Sequence, residues 1–65
     1  MTPAEVREAR DKLGLSQAKF ARVMGVSLKT VQFWEWDTRK PSATAARLIA
    51  AYTEGYRPQD WPKEE

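Results

Sequence analysis

Ser27-Leu28-Lys29-Thr30-Val31-Gln32-Phe33 gathers two hydroxyls, an ammonium, a carboxamide and apolar side chains into one short run. Such a set can donate and accept hydrogen bonds at a flat polar edge and make apolar contact beside it. Arg39 and Lys40 follow closely and supply cations for an anionic surface. Covalent chemistry is poorly provided for. The 65 residues include no His and no Cys, which removes an imidazole base, a thiol nucleophile, a disulfide frame and zinc sites of the usual ligand types. The carboxylate pairs Glu5/Glu8 and Glu64/Glu65 have no companion base and read as helix-start charge and tail solvation. No cofactor, metal site or enzyme activity is expected.

The elements that must carry these side chains are short helices. Thr2-Pro3-Ala4-Glu5 has a capping hydroxyl, a proline suited to the first helical position and an acid placed for a capping box. Val6, Ala9 and Leu13 then recur at helical spacing until Gly14, predicting a helix over 3–13. Ser16 caps a second helix over 17–24, with Phe20, Ala21 and Met24 as its apolar stripe and Gly25 as its stop. Ser27 caps a third, over 28–36, and Pro41 closes off the segment behind it. Ser42 caps a fourth over 43–54, rich in Ala, with Leu48, Ile49 and Tyr52 on one side and Gly55 beyond. No strand or repeat is apparent. Residues 1–55 form one domain in this reading, and 56–65 an irregular tail.

The break between the second and third helices is the informative one. Gly25-Val26-Ser27 is a three-residue joint with glycine for positive φ, an apolar side chain for the inside of the corner and a cap for the next helix. Two short helices joined this way make a helix-turn-helix. At about 100° per residue, Val31 and Trp34 fall on one side of the third helix, and Lys29, Gln32, Phe33 and Trp36 on the other. Two large aromatic rings on a solvent face ask for a partner surface. A DNA major groove admits one helix. There Lys29 can donate to guanine O6 or N7, Gln32 can pair with adenine, and Leu28 or Phe33 can meet thymine methyls.

Gln17, Ala21, Gly25-Val26-Ser27, Val31, Trp34-Glu35 and Pro41 together resemble the lambda-repressor-like helix-turn-helix family of Cro/C1 and XRE type, which includes phage repressors and antitoxin regulators. The resemblance covers roughly residues 4–53. It implies a compact all-α domain of four or five helices in a dimeric, operator-binding transcriptional regulator. Carried over by position, Gln17 would anchor a phosphate, and Ser27, Leu28, Lys29, Gln32 and Phe33 would occupy the base-reading end of the third helix. Arg39 and Lys40 would grip the DNA backbone from the following loop. Three positions depart from the family pattern. Asp37 stands where glycine is common, Phe33 replaces a usually polar reader, and Trp36 is bulkier than usual.

Thr30, Arg10 and Lys19 are further candidates for phosphate contact, with Arg22 and Arg47 behind them. Arg10 lies on the face of Val6 and Leu13, where a cation needs a partner, and Glu35 borders the core side of the third helix. The pair is expected to join these two helices, the alternative being two solvated charges. Trp36 has three destinations open to it: the edge of a DNA duplex, a protein interface, or the start of the fourth helix. Leu48, Ile49, Ala51, Tyr52, Tyr56 and Trp61 are the expected homodimer surface, with Tyr56 and Trp61 also able to pack on the chain's own helices.

Residues 1–53 hold nine cations and five anions, while 54–65 hold two cations and four anions, a basic body with an acidic end that suits a polyanion partner. Nothing approaches the roughly 20 apolar residues of a membrane span, and no signal-peptide core is visible, so a soluble cytoplasmic protein is expected. The expected function is a sequence-specific, double-stranded DNA-binding regulator, an autorepressor on an inverted-repeat operator, of phage, antitoxin or anti-CRISPR-associated type. The alternative is a protein-interaction module or antitoxin whose aromatic surface (Phe33, Trp36, Tyr56, Trp61) meets a toxin or another regulator.

Overall fold

Four hydroxyl side chains open four helices. The computed structural model describes residues 1–61, and among these it contains α1 (Pro3–Leu13), α2 (Gln17–Met24), α3 (Leu28–Glu35) and α4 (Ala43–Thr53), with no strand. Thr2, Ser16, Ser27 and Ser42 each accept a hydrogen bond from the backbone N–H three residues on, satisfying a donor that has no partner within its helix. At α1 the arrangement is reciprocal, because the Glu5 carboxylate accepts from the Thr2 N–H at 2.7 Å. That bond holds the Glu5 pKa below its ordinary value. The helix limits expected from sequence differ from these only at two C-termini, where Trp36 and Glu54 are caps rather than helical residues.

The joint between α2 and α3 takes the form its sequence predicts. Gly25 has φ of 71°, and its N–H and that of Val26 return to the last carbonyls of α2. A Cβ placed on Gly25 would meet nothing within 4 Å, so the requirement for glycine here is conformational and not one of space.

α2 packs on α3 and α4, while α1 packs on α3 and α4. Their shared core is Val6, Ala9, Phe20, Ala21, Met24, Val31, Trp34, Ile49 and Tyr52. Leu13, Val26, Leu48 and Trp61 are partly buried against it. Ile49 and Tyr52 correct the sequence reading, which placed them at a subunit interface. They are 0% and 3% exposed in the single chain, and the Tyr52 hydroxyl donates to the Val23 carbonyl at 2.7 Å. α4 turns this face inward onto α1 and α2.

The described part of the tail folds back on α4. The Trp61 ring meets Tyr52 edge-on at 4.9 Å between centroids, and Tyr56 stacks parallel to Tyr52 at 5.9 Å. Arg57 donates to the carbonyls of Tyr52 and Tyr56 at 2.8 Å each and lies 4.4 Å from the centre of the Trp61 ring. Arg57 thus closes the C-terminal end of α4, where a cation also meets the negative end of the helix dipole. The Glu64–Glu65 pair and the last four positions of the tail lie outside the described residues.

Candidate nucleic-acid interface

α3 is divided along its length. Val31, Trp34 and Glu35 are buried, whereas Leu28 and Lys29 are exposed and Thr30, Gln32 and Phe33 are half-buried. Its leading end is held by Ser27, whose hydroxyl accepts from the Thr30 N–H at 3.1 Å and lies 2.9 Å from the Thr30 hydroxyl. Ser27 and Thr30 therefore sit together at the rim of the expected reading face.

The trailing end of α3 is held by its own carbonyls. The Phe33 carbonyl accepts from the N–H groups of Thr38 and Arg39, at 3.0 and 3.2 Å. The chain turns there through Asp37, whose φ of 62° makes it the non-glycine residue with positive φ among the described residues. Glycine adopts such a left-handed conformation freely, whereas Asp adopts it at a cost. The turn directs Arg39 back toward α3, and Arg39 and Lys40 are both exposed. Arg39 Cζ lies 5.6 Å from the centroid of the Phe33 ring, and Lys29 Nζ lies 5.9 Å from the same centroid. Lys29, Phe33 and Arg39 thus form one cluster, two cations gathered at one aromatic ring.

The sequence reading placed Lys29 and Phe33 on the same outer face and Arg39 in the following loop, without a contact among the three. The spacing of Lys29 and Phe33, one helical turn apart, carries the signal for their contact. Arg39 gives no such signal, because its approach depends on the turn at Asp37.

Arg10, Gln17 and Glu35 form a second cluster behind α3. Arg10 Nε donates to Glu35 Oε2 at 2.8 Å and Arg10 Nη2 donates to Oε1 at 3.3 Å. Gln17 Nε2 donates to the same Oε1 at 3.1 Å, and Arg10 Nη1 donates to the Leu15 carbonyl at 3.1 Å. The Glu35 hydrogen bond raises the Arg10 pKa further above its ordinary value, so the guanidinium stays charged. The expected Arg10–Glu35 pair is present. Arg10 and Gln17 both donate to Glu35 and so tie α1 and α2 to α3. A buried carboxylate requires such partners, and these are the donors within reach. Lys19 stands half-buried in the first turn of α2.

Trp36 is 63% exposed, and Tyr56 is 55% exposed. Trp36 therefore does not fold over the start of α4. Leu48, Ala51 and Trp61 are half-buried, and Leu48 and Trp61 pack against the core. Among the described residues there is no cluster of three or more potential metal ligands, and no helix is long and apolar enough to cross a membrane.

The helix-turn-helix family profile matches residues 6–61, which takes in all of α2, the joint, α3 and α4. A protein of Archaeoglobus fulgidus, provisionally named an HTH-type transcriptional regulatory protein, is 44% identical over 43 residues. That alignment covers 66% of this chain but 14% of the relative, so the chain spans about a seventh of that protein's length. No solved structure matches the chain significantly. With four helices, a glycine joint between the second and third, and a family match over most of its length, the chain belongs to the lambda-repressor-like helix-turn-helix family.

Proposed function

We propose that this protein is a sequence-specific, double-stranded DNA-binding transcriptional regulator that acts as a dimeric repressor of its own promoter. The observation that carries the reading is the division of α3. Val31, Trp34 and Glu35 fix it to the body, leaving Lys29, Gln32, Phe33 and the Arg39–Lys40 loop on the opposite side. Ser27 and Leu28 stand at the leading end, where a recognition helix first meets base edges. Lys29 and Gln32 donate to purine acceptors, while Arg39, Lys40, Thr30 and Lys19 serve the phosphates on either side. Arg10 and Gln17 act through Glu35, by setting the orientation of α3.

One copy offers few base contacts, and each good pair discriminates by only about 1–3 kcal/mol. Two copies on an inverted repeat, with centres about 34 Å apart, approximately double that term. A protomer measuring 30 × 20 × 18 Å is of a size to place two α3 helices at that separation. Leu48, Ala51, Tyr56 and Trp61 supply the pairing surface in this arrangement. Repression then follows by occlusion of the promoter. Cytoplasmic location and a role in a phage, an antitoxin system or an anti-CRISPR operon are consistent with this activity.

Selection from a random duplex pool, followed by fluorescence anisotropy, tests the reading. A defined inverted-repeat sequence should emerge, bound with a log–log salt slope of about −0.9 per phosphate neutralised. Lys29→Ala should relax one base preference, whereas Arg39→Ala should weaken all sequences alike. If no duplex is enriched, or if the protein instead forms a salt-insensitive complex with a protein partner, the regulator reading fails.

A further inference from the structure

The Lys29–Phe33–Arg39 cluster does more than place two cations near DNA. The ring lies one helical turn from Lys29 on α3, and Arg39 reaches it from beyond the Asp37 turn. A cation held at an aromatic face loses little freedom on binding, since its position is already restricted. The ring is half-buried, so part of an apolar surface stays open beside two positive charges.

Few ligands match that pattern. A protein surface would need an apolar knob flanked by two acids. The floor of a DNA major groove offers the complement as a matter of course: the 5-methyl group of thymine is apolar, guanine N7 and O6 are acceptors, and phosphates line the edge. The scale also agrees. Lys29 Nζ is 5.9 Å from the ring centre, and neighbouring base pairs are stacked about 3.4 Å apart. A methyl group seated against the ring edge therefore leaves the ammonium within reach of the adjoining base pair. Arg39, on the loop side, is left for a phosphate.

We propose that Phe33 is a specificity-determining residue, and that with Lys29 it selects a base-pair step carrying a pyrimidine 5-methyl group next to a guanine. This rests on the DNA-binding reading above and adds to it a methyl requirement. Recognition is of the methyl group itself and not of the thymine ring, so 5-methylcytosine serves in place of thymine at that position.

The test alters single atoms of the DNA and so leaves the protein's folding untouched. The duplex selected from the random pool is resynthesised with each thymine in turn replaced by uracil, and with each guanine replaced by 7-deazaguanine. One uracil position should weaken binding about fourfold, the value of one buried methyl group. A neighbouring 7-deazaguanine should also weaken it. At the methyl-sensitive position, 5-methylcytosine paired with guanine should bind more tightly than cytosine paired with guanine. Phe33→Gln, checked for folding by circular dichroism, should bind the thymine and uracil duplexes equally.

Equal binding of thymine and uracil duplexes by the unaltered protein overturns the proposal while leaving the regulator reading intact. So does a methyl-sensitive position with no sensitive guanine beside it, or a folded Phe33→Gln variant that still discriminates. Failure to enrich any duplex overturns both.

Discussion

Replacing Arg10 by methionine removes the cation from a buried ion pair while keeping most of its apolar stem volume. Glu35 is 4% exposed, and its carboxylate accepts three hydrogen bonds, two from the Arg10 guanidinium and one from Gln17, which shares an oxygen with one of them. The variant leaves the carboxylate with Gln17 alone and deprives the Leu15 carbonyl of its guanidinium donor. Breaking a buried pair by removing one partner costs about 3–5 kcal/mol. The Arg10 side chain is 18% exposed, so water can reach part of the site and the lower end of that range applies.

A loss of about 3 kcal/mol is severe for a chain this short, whose whole stability is on the order of 3–10 kcal/mol. It corresponds to a fall in melting temperature of about 20 °C. Urea unfolding followed by tryptophan fluorescence measures the loss, since Trp34 is 5% exposed when folded. The companion variant decides the mechanism. Arg10→Met combined with Glu35→Leu removes the orphaned charge together with its partner and should regain most of the loss. If Arg10→Met costs less than about 1 kcal/mol, or if the double variant is as unstable as the single one, the argument from an uncompensated buried charge is refuted.

Asp37→Gly should raise the melting temperature by several degrees, because glycine adopts the φ of 62° without the cost of about 1 kcal/mol borne by a Cβ; a lower melting temperature would contradict this. Trp61→Ala should cost about 1–2 kcal/mol in urea unfolding, from loss of its edge-on contact with Tyr52 and of the surface it covers. Burial pushes the Tyr52 phenol above its ordinary value of 10.0, so the stability it contributes is fully present below about pH 10 and is lost as pH rises through the folded pKa. Urea midpoints measured from pH 9 to 12 should therefore fall above pH 10, and the fall should be smaller in Tyr52→Phe.

The fold was legible because its punctuation is local. Thr2, Ser16, Ser27 and Ser42 are capping residues whose bonds reach only three positions along the chain, and Gly25 acts through its own φ. The Arg10–Glu35 pair could be anticipated from helical faces alone, since each charge lies on a side that must turn inward. Ile49 and Tyr52 were misplaced for the complementary reason. An apolar stripe on α4 states that something covers it, but whether the cover is α1 and α2 or a second subunit depends on how three helices close, and no local signal encodes that. Arg57 was missed as the closure of α4 because it lies beyond Gly55 and acts only once the tail has turned back.

An eight-residue helix has little stability of its own, so the position of α3 is set by what holds it and not by its own sequence preference. A reading surface functions only if its groups are held to within about 0.5 Å. Three kinds of restraint supply that here: Val31 and Trp34 in the apolar core, Glu35 in the bonds from Arg10 and Gln17, and the Phe33 carbonyl in the turn that returns Arg39. The first kind resists displacement but is poorly directional, since apolar contact tolerates sliding. The polar bonds are directional and act at the inner side of the last turn, opposite the ring that gathers Lys29 and Arg39. Rotation of α3 about its own axis would have to break the bonds to Glu35 before it could move Phe33. On the proposed DNA-reading role of α3, the buried charge therefore serves a purpose that an apolar pair of equal volume would serve less well. The Arg10→Met, Glu35→Leu chain, though refolded, should bind its selected duplex with weaker base discrimination than the parent.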